Sequence, residues 1–370
     1  MTAPLRVVQV GAGAMGRGWL GTIEANPDVE LVGLVDLDLD VARQAAADHG
    51  HPDLEVDRSV SAVAARTGAE AVVNVTVPAA HRPTSVEALR AGLPVLCEKP
   101  IAASVAEALS MIAAAESSGR LLMISQSRRY YRALTALRRQ LGRLGPLGLV
   151  ECSFLKAPHF GGFREEMDHP LLVDMAIHQF DLARDLVGAD PVSVTCDAFN
   201  PPWSWFRGDA AARVGFVFAN GCRFSYTGSW VSGGVETSWN GDWRFSAADG
   251  GAAWDGDDLP VARTVDGAAI EEDADDVPQE IAGSLVEFVR AVRTGAEPSG
   301  EAHRNVVSLA MVEAAVRASE TGGAVAIADV LADAHRSALA TETDPELLAV
   351  IRSWDDIGAV VRPPAPQLAG

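Results

Sequence analysis

Glu98-Lys99-Pro100 follows directly on the apolar run Pro94-Val95-Leu96-Cys97. An ammonium group at the end of a buried strand can hydrogen-bond a hydroxyl and stabilise the alkoxide that develops as its proton leaves. The proline after it keeps Lys99 out of helical backbone. The bland alternative is a surface Glu–Lys pair ahead of a helix. A second stretch reads Asp174-Met175-Ala176-Ile177-His178-Gln179-Phe180-Asp181. On a helix Asp174, His178 and Asp181 share a face, while Leu172, Ile177 and Phe180 anchor the other. Imidazole titrates near neutral pH, and a neighbouring carboxylate fixes its tautomer, which suits proton removal from an alcohol. Such a face is otherwise a solvated one. A third feature is aromatic: Trp203, Trp205, Trp230, Trp239, Trp243 and Trp254 account for six of the eight tryptophans. Most large rings in sheets serve packing, but indole faces also stack on sugars, and Trp203 or Trp205 beside Asn200-Pro201-Pro202 is expected to touch substrate.

These groups need a scaffold, and the stretch Leu5 to Asp36 supplies its outline. Leu5-Arg6-Val7-Val8-Gln9-Val10 reads as a strand that runs into Gly11-Ala12-Gly13-Ala14-Met15-Gly16. A helical pattern (Trp19, Leu20, Ile23) and a second apolar run, Leu31-Val32-Gly33-Leu34-Val35, follow and end on Asp36. This is a βαβ unit with a dinucleotide fingerprint. Gly11 permits the tight turn, Gly13 admits a pyrophosphate to the backbone, and Gly16 lets helix and strand approach. The phosphates would rest on free N–H groups at the helix N-terminus. Asp36 lies about 20 residues beyond the turn, where a carboxylate accepts ribose hydroxyls and repels a 2′-phosphate, so NAD is favoured over NADP.

Composition narrows the function classes. The chain has 370 residues, a formal charge of −20 and 48% hydrophobic residues. The length suits two domains, and the acidity argues against nucleic acid or an anionic membrane as partner. No apolar run reaches the length of a membrane span. The strand at Leu5 leaves no room for a signal peptide, so a cytoplasmic location is expected. Cys97, Cys152, Cys196 and Cys222 are too scattered for a disulfide framework or a zinc site. Asp168, His169, Asp174 and His178 match no standard ligand spacing, and no metal is expected.

From residue 1 to about 125, strands alternate with Ala-rich helices, the doubly wound α/β pattern with ligands at the carboxyl ends of the strands. Ala71 to Val77 reads as a strand closed by Pro78, Ser85 to Ala91 as a helix, Ser104 to Ser118 as another, and Leu121 to Ile124 as a strand. Arginines crowd Arg128 to Arg143, and Arg128 or Arg129 could reach the ligand crevice from the end of that strand. Then the rhythm changes. Leu149 to Lys156, Val192 to Phe199, Ala212 to Phe218, Cys222 to Trp230 and Trp239 to Ser246 are strand-like, with a hairpin signal at Asn220-Gly221. One helix, Leu171 to Val187, interrupts them. A substrate-binding α+β domain over 126–335 with an open, mostly antiparallel sheet is therefore expected. Asp255 to Asp276 reads as an acidic loop, and Ile281 to Arg293 and Ala302 to Glu320 as helices. A C-terminal tail, 336–370, has one amphipathic stretch from Pro345 to Trp354 and a Pro-rich end, Pro363-Pro364-Ala365-Pro366.

Taken in order, Gly11-Ala12-Gly13-Ala14-Met15-Gly16, Glu98-Lys99-Pro100 and Asp174-x-x-x-His178 resemble the motifs of the glucose-fructose oxidoreductase and inositol dehydrogenase (Gfo/Idh/MocA) family over residues 5 to 330. The resemblance implies a Rossmann domain, a second domain whose open sheet makes homodimer or homotetramer contacts, and NAD(P)-dependent chemistry on a sugar or polyol. It implies that Thr76, Pro78 and His81 line the cofactor cleft with Glu98 near the nicotinamide, that Lys99 assists, that Asp174 orients, and that His178 is the general acid/base. Two departures stand out: His169-Pro170-Leu171-Leu172-Val173 replaces a Gly-rich run, and Ala176 replaces a glycine. The rival readings are a redox-assisted elimination or glycosidase reaction that recycles NAD, and an NAD-bound sugar sensor.

Overall fold

The structure is a computed structural model that describes residues 3–361, so Pro363-Pro364-Ala365-Pro366 lies outside it. The described chain packs as two compact units, one of residues 3–127, 278–306 and 333–361, the other of residues 128–277 and 307–332. The linear reading drew contiguous blocks; instead, segments from beyond residue 277 return to each unit.

The first unit is a parallel sheet of six strands in the order β3-β2-β1-β4-β5-β6, formed by β1 (Leu5–Val10), β2 (Val29–Val35), β3 (Glu55–Asp57), β4 (Ala71–Asn74), β5 (Val95–Glu98) and β6 (Leu122–Ser125). The strand order reverses between β1 and β4, the switch point where doubly wound folds bind ligands. Between the strands lie α1 (Ala14–Glu24), α2 (Leu39–Asp48), α3 (Val60–Thr67), α4 (Pro78–Arg90) and α5 (Val105–Ser118). Asp38, Ser59 and Ser104 cap α2, α3 and α5 with side-chain oxygens. Proline at the first position starts α4 well before the expected Ser85. α5 is buried along almost its whole length, from Val105 to Ala115. The expected amphipathic stretch of the tail is α11 (Pro345–Ser353), capped by Asp344. Arg82 donates to Glu342, Arg90 to Asp344, and Trp354 Nε1 to Glu116 Oε2 at 3.0 Å, which fix this stretch to α4 and α5. His303, near the start of α9 (Ala302–Thr321), lies between Glu301 (2.5 Å) and Glu116 (2.8 Å).

The second unit carries a sheet of nine strands: β7 (Leu147–Leu155), β8 (Pro191–Phe199), β9 (Ala211–Phe218), β10 (Arg223–Ser229), β11 (Asp242–Ala247), β12 (Gly250–Trp254), β13 (Val261–Thr264), β14 (Ala269–Ile270) and β15 (Val325–Ala326). Only β7 and β10 pair in parallel. The Asn220-Gly221 turn joins β9 to β10 with Gly221 at φ +88°. β13 and β14 fall in the stretch read as a loop; each buries one side chain, Ala262 or Ile270, too little to show as alternation. One sheet face is packed with Phe154, Phe216, Phe224, Trp243 and Phe245. The other is exposed and polar, with Asp197 opposite Arg213, Arg213 opposite Thr227, and Glu151 opposite Arg244.

The expected helix from Leu171 is two elements, a π-helical turn (Leu171–Ala176) and α7 (Ile177–Val187). Every residue of α7 is buried, so its polar groups are not the solvated face that spacing alone suggests. Its carboxylates and arginine are paired inside: Asp181 accepts from Arg129 at 2.7 and 2.6 Å and from Ser308 at 2.5 Å, Asp185 accepts from Arg138 at 2.8 Å, and Arg184 donates to Asp190 at 2.7 Å. Removing one partner of a buried pair leaves the other charge uncompensated. Arg129→Met is therefore expected to cost roughly 3–5 kcal/mol in denaturant unfolding, well beyond the loss from an exposed pair such as Arg43–Asp40.

Candidate functional site

The glycine turn of the first unit is set by close backbone approaches. A Cβ on Gly16 would lie 2.2 Å from the carbonyl oxygen of Gly11, and one on Gly11, at φ +100°, would lie 2.6 Å from that of Val75. Gln9, buried in β1, clasps the turn by donating from Nε2 to the carbonyls of Gly11 and Gly16, both at 2.8 Å. Gly13 differs, because a Cβ there would meet nothing within 4 Å. It is the N-cap of α1 and offers no side-chain cap, which leaves first-turn N–H groups for a phosphate. Ala14 and Met15, the first residues of α1, are exposed beside it. Asp36 stands at the end of β2 with its carboxylate already aimed, accepting from Ala12 N–H at 2.8 Å and Asp38 N–H at 2.9 Å. These residues fit a dinucleotide: a free cradle, an uncapped helix and a fixed acid for the ribose.

The carboxyl ends of β4 and β5 hold the next group. Asn74 accepts from Thr76 Oγ1 at 2.7 Å and donates to Ser85 Oγ at 3.0 Å. His81, fully buried, bridges two loops, with Nδ1 at 2.8 Å from the Pro100 carbonyl and Nε2 at 3.0 Å from that of Thr76. Burial pulls its imidazole below the ordinary range, and the Pro100 and Thr76 carbonyls pull the other way. Pro78 opens α4 beside it. Glu98 accepts from Trp19 Nε1 at 2.8 Å and Lys99 N–H at 3.0 Å; burial pushes its carboxyl up, against those two contacts. Lys99 is half-buried ahead of a cis peptide to Pro100. At the carboxyl end of β6, Ser125 Oγ and both amide atoms of Gln126 are buried with no hydrogen-bond partner among the described residues. Sequence reasoning missed Gln9 and Gln126; the signal was a long polar amide within or just after an apolar strand.

In the second unit Asp174, in the π turn, and His178, in α7, stand on successive turns, and His178 is 7% exposed. Asp174 Oδ2 accepts from Arg164 Nε at 2.7 Å, a partner the sequence did not suggest. Trp203 is 68% exposed, its indole N–H donating to the Val231 carbonyl at 2.9 Å. Trp205 is half-buried and stacks on His159 at 3.8 Å between ring centres. Arg129, expected to face the crevice, is committed to Asp181. Burial disfavours its charge, and the Asp181 carboxylate more than restores it, so its pKa stands above the ordinary value. Among the described residues no three His, Cys, Asp or Glu side chains cluster to hold a metal ion. Nor is any described helix long and apolar enough to cross a membrane.

The six-stranded sheet with its glycine turn and the open second sheet define a two-domain protein whose first unit is a doubly wound fold with a dinucleotide cradle. Residues 5–126 match the model of the oxidoreductase family with an NAD-binding Rossmann fold, and residues 131–252 match the Gfo/Idh/MocA C-terminal domain. The chain belongs to the Gfo/Idh/MocA family of oxidoreductases. A Sinorhizobium fredii protein described as uncharacterized protein y4oX is 31% identical over 256 residues, 65% of this chain and 68% of its own. Inositol 2-dehydrogenase 4 of Saccharopolyspora erythraea is 33% identical over 195 residues, 52% of this chain and 56% of its own. An oxidoreductase from Agrobacterium radiobacter, solved with NAD+, L-tartaric acid and magnesium, shares the fold. Its TM-score is 0.78 at 18% identity, over 88% of this chain and 99% of that one.

The glycines separate fold from ligand. Gly13→Ala adds a methyl group to open space and is expected to change thermal stability by under about 1 kcal/mol. The same substitution is expected to weaken NADH binding roughly tenfold or more, about 1.4 kcal/mol, in a fluorescence titration.

Proposed function

We propose that the protein is an NAD-dependent dehydrogenase of a sugar or polyol, with His178 as general acid/base, Asp174 orienting, and Lys99 hydrogen-bonding the reacting oxygen. The observation that supports this reading is an almost buried imidazole, His178, one helical turn from the Asp174 carboxylate, in a helix whose charged groups are held by ion pairs. An imidazole beside a carboxylate can exchange a proton with a ligand near neutral pH. Bound NAD supplies a hydride acceptor. His178 would take the proton of the substrate hydroxyl, and the Lys99 ammonium would stabilise the negative charge that builds on the oxygen. Glu98, held by the Trp19 indole, would border the nicotinamide with Thr76 and Pro78, while His81, buried with both ring nitrogens on main-chain carbonyls, would hold the two loops in place. Trp203 and Trp205 offer ring faces to the sugar.

Support for the substrate class comes from the inositol dehydrogenase relative, and support for NAD from Asp36. A 2′-phosphate there would meet the carboxylate of Asp36 and, two residues on, that of Asp38. Arg129 acts by holding α7 through Asp181 rather than by touching substrate. The four free cysteines, three of them buried, suit a reducing compartment. We also infer that the exposed sheet face meets a second copy of the chain, since its interleaved Glu151, Asp197, Arg213 and Arg244 can pair across a two-fold axis. Sedimentation of the full chain is expected to show a dimer or tetramer at micromolar concentration, and a monomer there would refute the contact.

The chemistry is tested by following NADH formation over inositols, aldoses and anhydrosugars, with NADP run in parallel. Lys99→Met and His178→Asn are each expected to lower kcat about 10²- to 10⁴-fold. Unchanged rates in both variants would remove the mechanism.

A further inference from the structure

Arg164 of the second unit is held on three sides. Its Nε donates to Asp174 at 2.7 Å, and its guanidinium carbon stands 5.3 Å from the ring centre of Phe160 and 4.8 Å from that of Phe163. The two rings are 42% and 67% exposed, so they flank the guanidinium at the surface without sealing it. Nη1 and Nη2 make no hydrogen bond among the described residues.

The surrounding segment is fixed as well. Arg207 N–H donates to the Glu165 carbonyl at 2.8 Å, Arg207 Nε to that of Glu166 at 2.8 Å, and Asp209 N–H to that of Asp168 at 2.7 Å. Gly208 lies so close that a Cβ would fall 2.1 Å from the Asp168 oxygen. These contacts tie the Arg164 segment to the loop that bears Trp203 and Trp205. Of the nearby carboxylates, Glu165 accepts from Gly161 N–H at 2.8 Å, Asp168 from Arg207 at 2.6 Å and Asp174 from Arg164 itself, while Glu166 is exposed and lies 3.8 Å from Arg207 Nε.

A guanidinium fixed by two rings and one carboxylate has already lost most of its rotamer freedom. Little further ordering is then needed when its outer edge binds a ligand. That edge presents two parallel N–H vectors, the geometry that suits a carboxylate or phosphate, and a charged acceptor gains about twice the hydrogen-bond strength of a neutral hydroxyl. We propose that Arg164 anchors an anionic substituent of the substrate, a carboxylate or a phosphate, so that the molecule oxidised is an acidic sugar or polyol. This deepens the dehydrogenase reading and rests on it, because Asp174 ties the anchor to the catalytic helix.

Matched pairs that differ only in the charged group test it: glucose against glucuronate for the carboxylate, and inositol against inositol monophosphate for the phosphate. The wild-type protein is expected to show kcat/KM at least tenfold higher for the acidic member of one pair, and that pair identifies the anion. Arg164→Gln is expected to collapse this ratio at least tenfold, and Arg164→Lys, which keeps the charge but not the fork, to retain part of it. Equal kcat/KM for neutral and acidic members in the wild type overturns the proposal, and so does a loss in Arg164→Gln that is the same for both. If nothing in the panel reduces NAD, the dehydrogenase reading fails and the anchor is read separately, by calorimetric titration of the NAD-bound protein with glucuronate and with inositol monophosphate. Binding that weakens at least tenfold in Arg164→Gln keeps the anchor; no binding of either compound, or equal binding by both proteins, removes it.

Discussion

The first unit depends on one place where backbone touches backbone. The turn after β1 lies against β4 on one side and α1 on the other, at distances that exclude a side chain at Gly11 or Gly16. The Gln9 amide holds the turn by donating both its hydrogens to carbonyls at the two ends of it, at the cost of a carbonyl oxygen buried without a hydrogen-bond partner among the described residues. The close contact fixes the start of α1, and so decides which N–H groups remain open and where Gly13 faces. Asp36 is then oriented by the turn itself, through Ala12 N–H.

The second unit solves a different problem, how to keep ionisable groups inside a helix that no solvent reaches. Burial works against the charged form of Asp185, yet its carboxyl is held below the usual range by Arg138 and Arg129. Arg184 is paired with Asp190, and burial still draws its pKa down. Such pairs add little net stability compared with apolar packing, but they penalise every other rotation of the helix. A helix fixed in rotation fixes the direction of His178.

Much of this was legible in the sequence because local pattern and tertiary context agree. The glycine spacing, the alternation of strands and helices up to Ile124, and the Asn220-Gly221 hairpin all reflect requirements of the backbone, and these leave marks at short range. The chemistry-bearing stretches were legible as motifs for a related reason, since residue type and spacing are local. What was not legible depends on long-range partners. Nothing near Arg129 in the chain announces Asp181, and nothing near Asp174 announces that Arg164 turns back to it. The π turn was read as ordinary helix because hydrophobic spacing over six residues does not separate the two. Of the tryptophans, Trp230, Trp243 and Trp254 serve the core and Trp203 does not, a division that needs the sheet's facing to be known.

The brace formed by α11 on α4 and α5 has a consequence for synthesis. α5 is made within the first third of the chain, yet its outer side is covered by residues from Pro345 to Trp354, and α4 is pinned by Glu342 and Asp344. On the ribosome the first unit therefore waits, with an apolar flank bare, until residues 345–354 have emerged. Contacts of such long sequence separation form slowly, so the interval before release is when this protein is most exposed to aggregation and most in need of a chaperone.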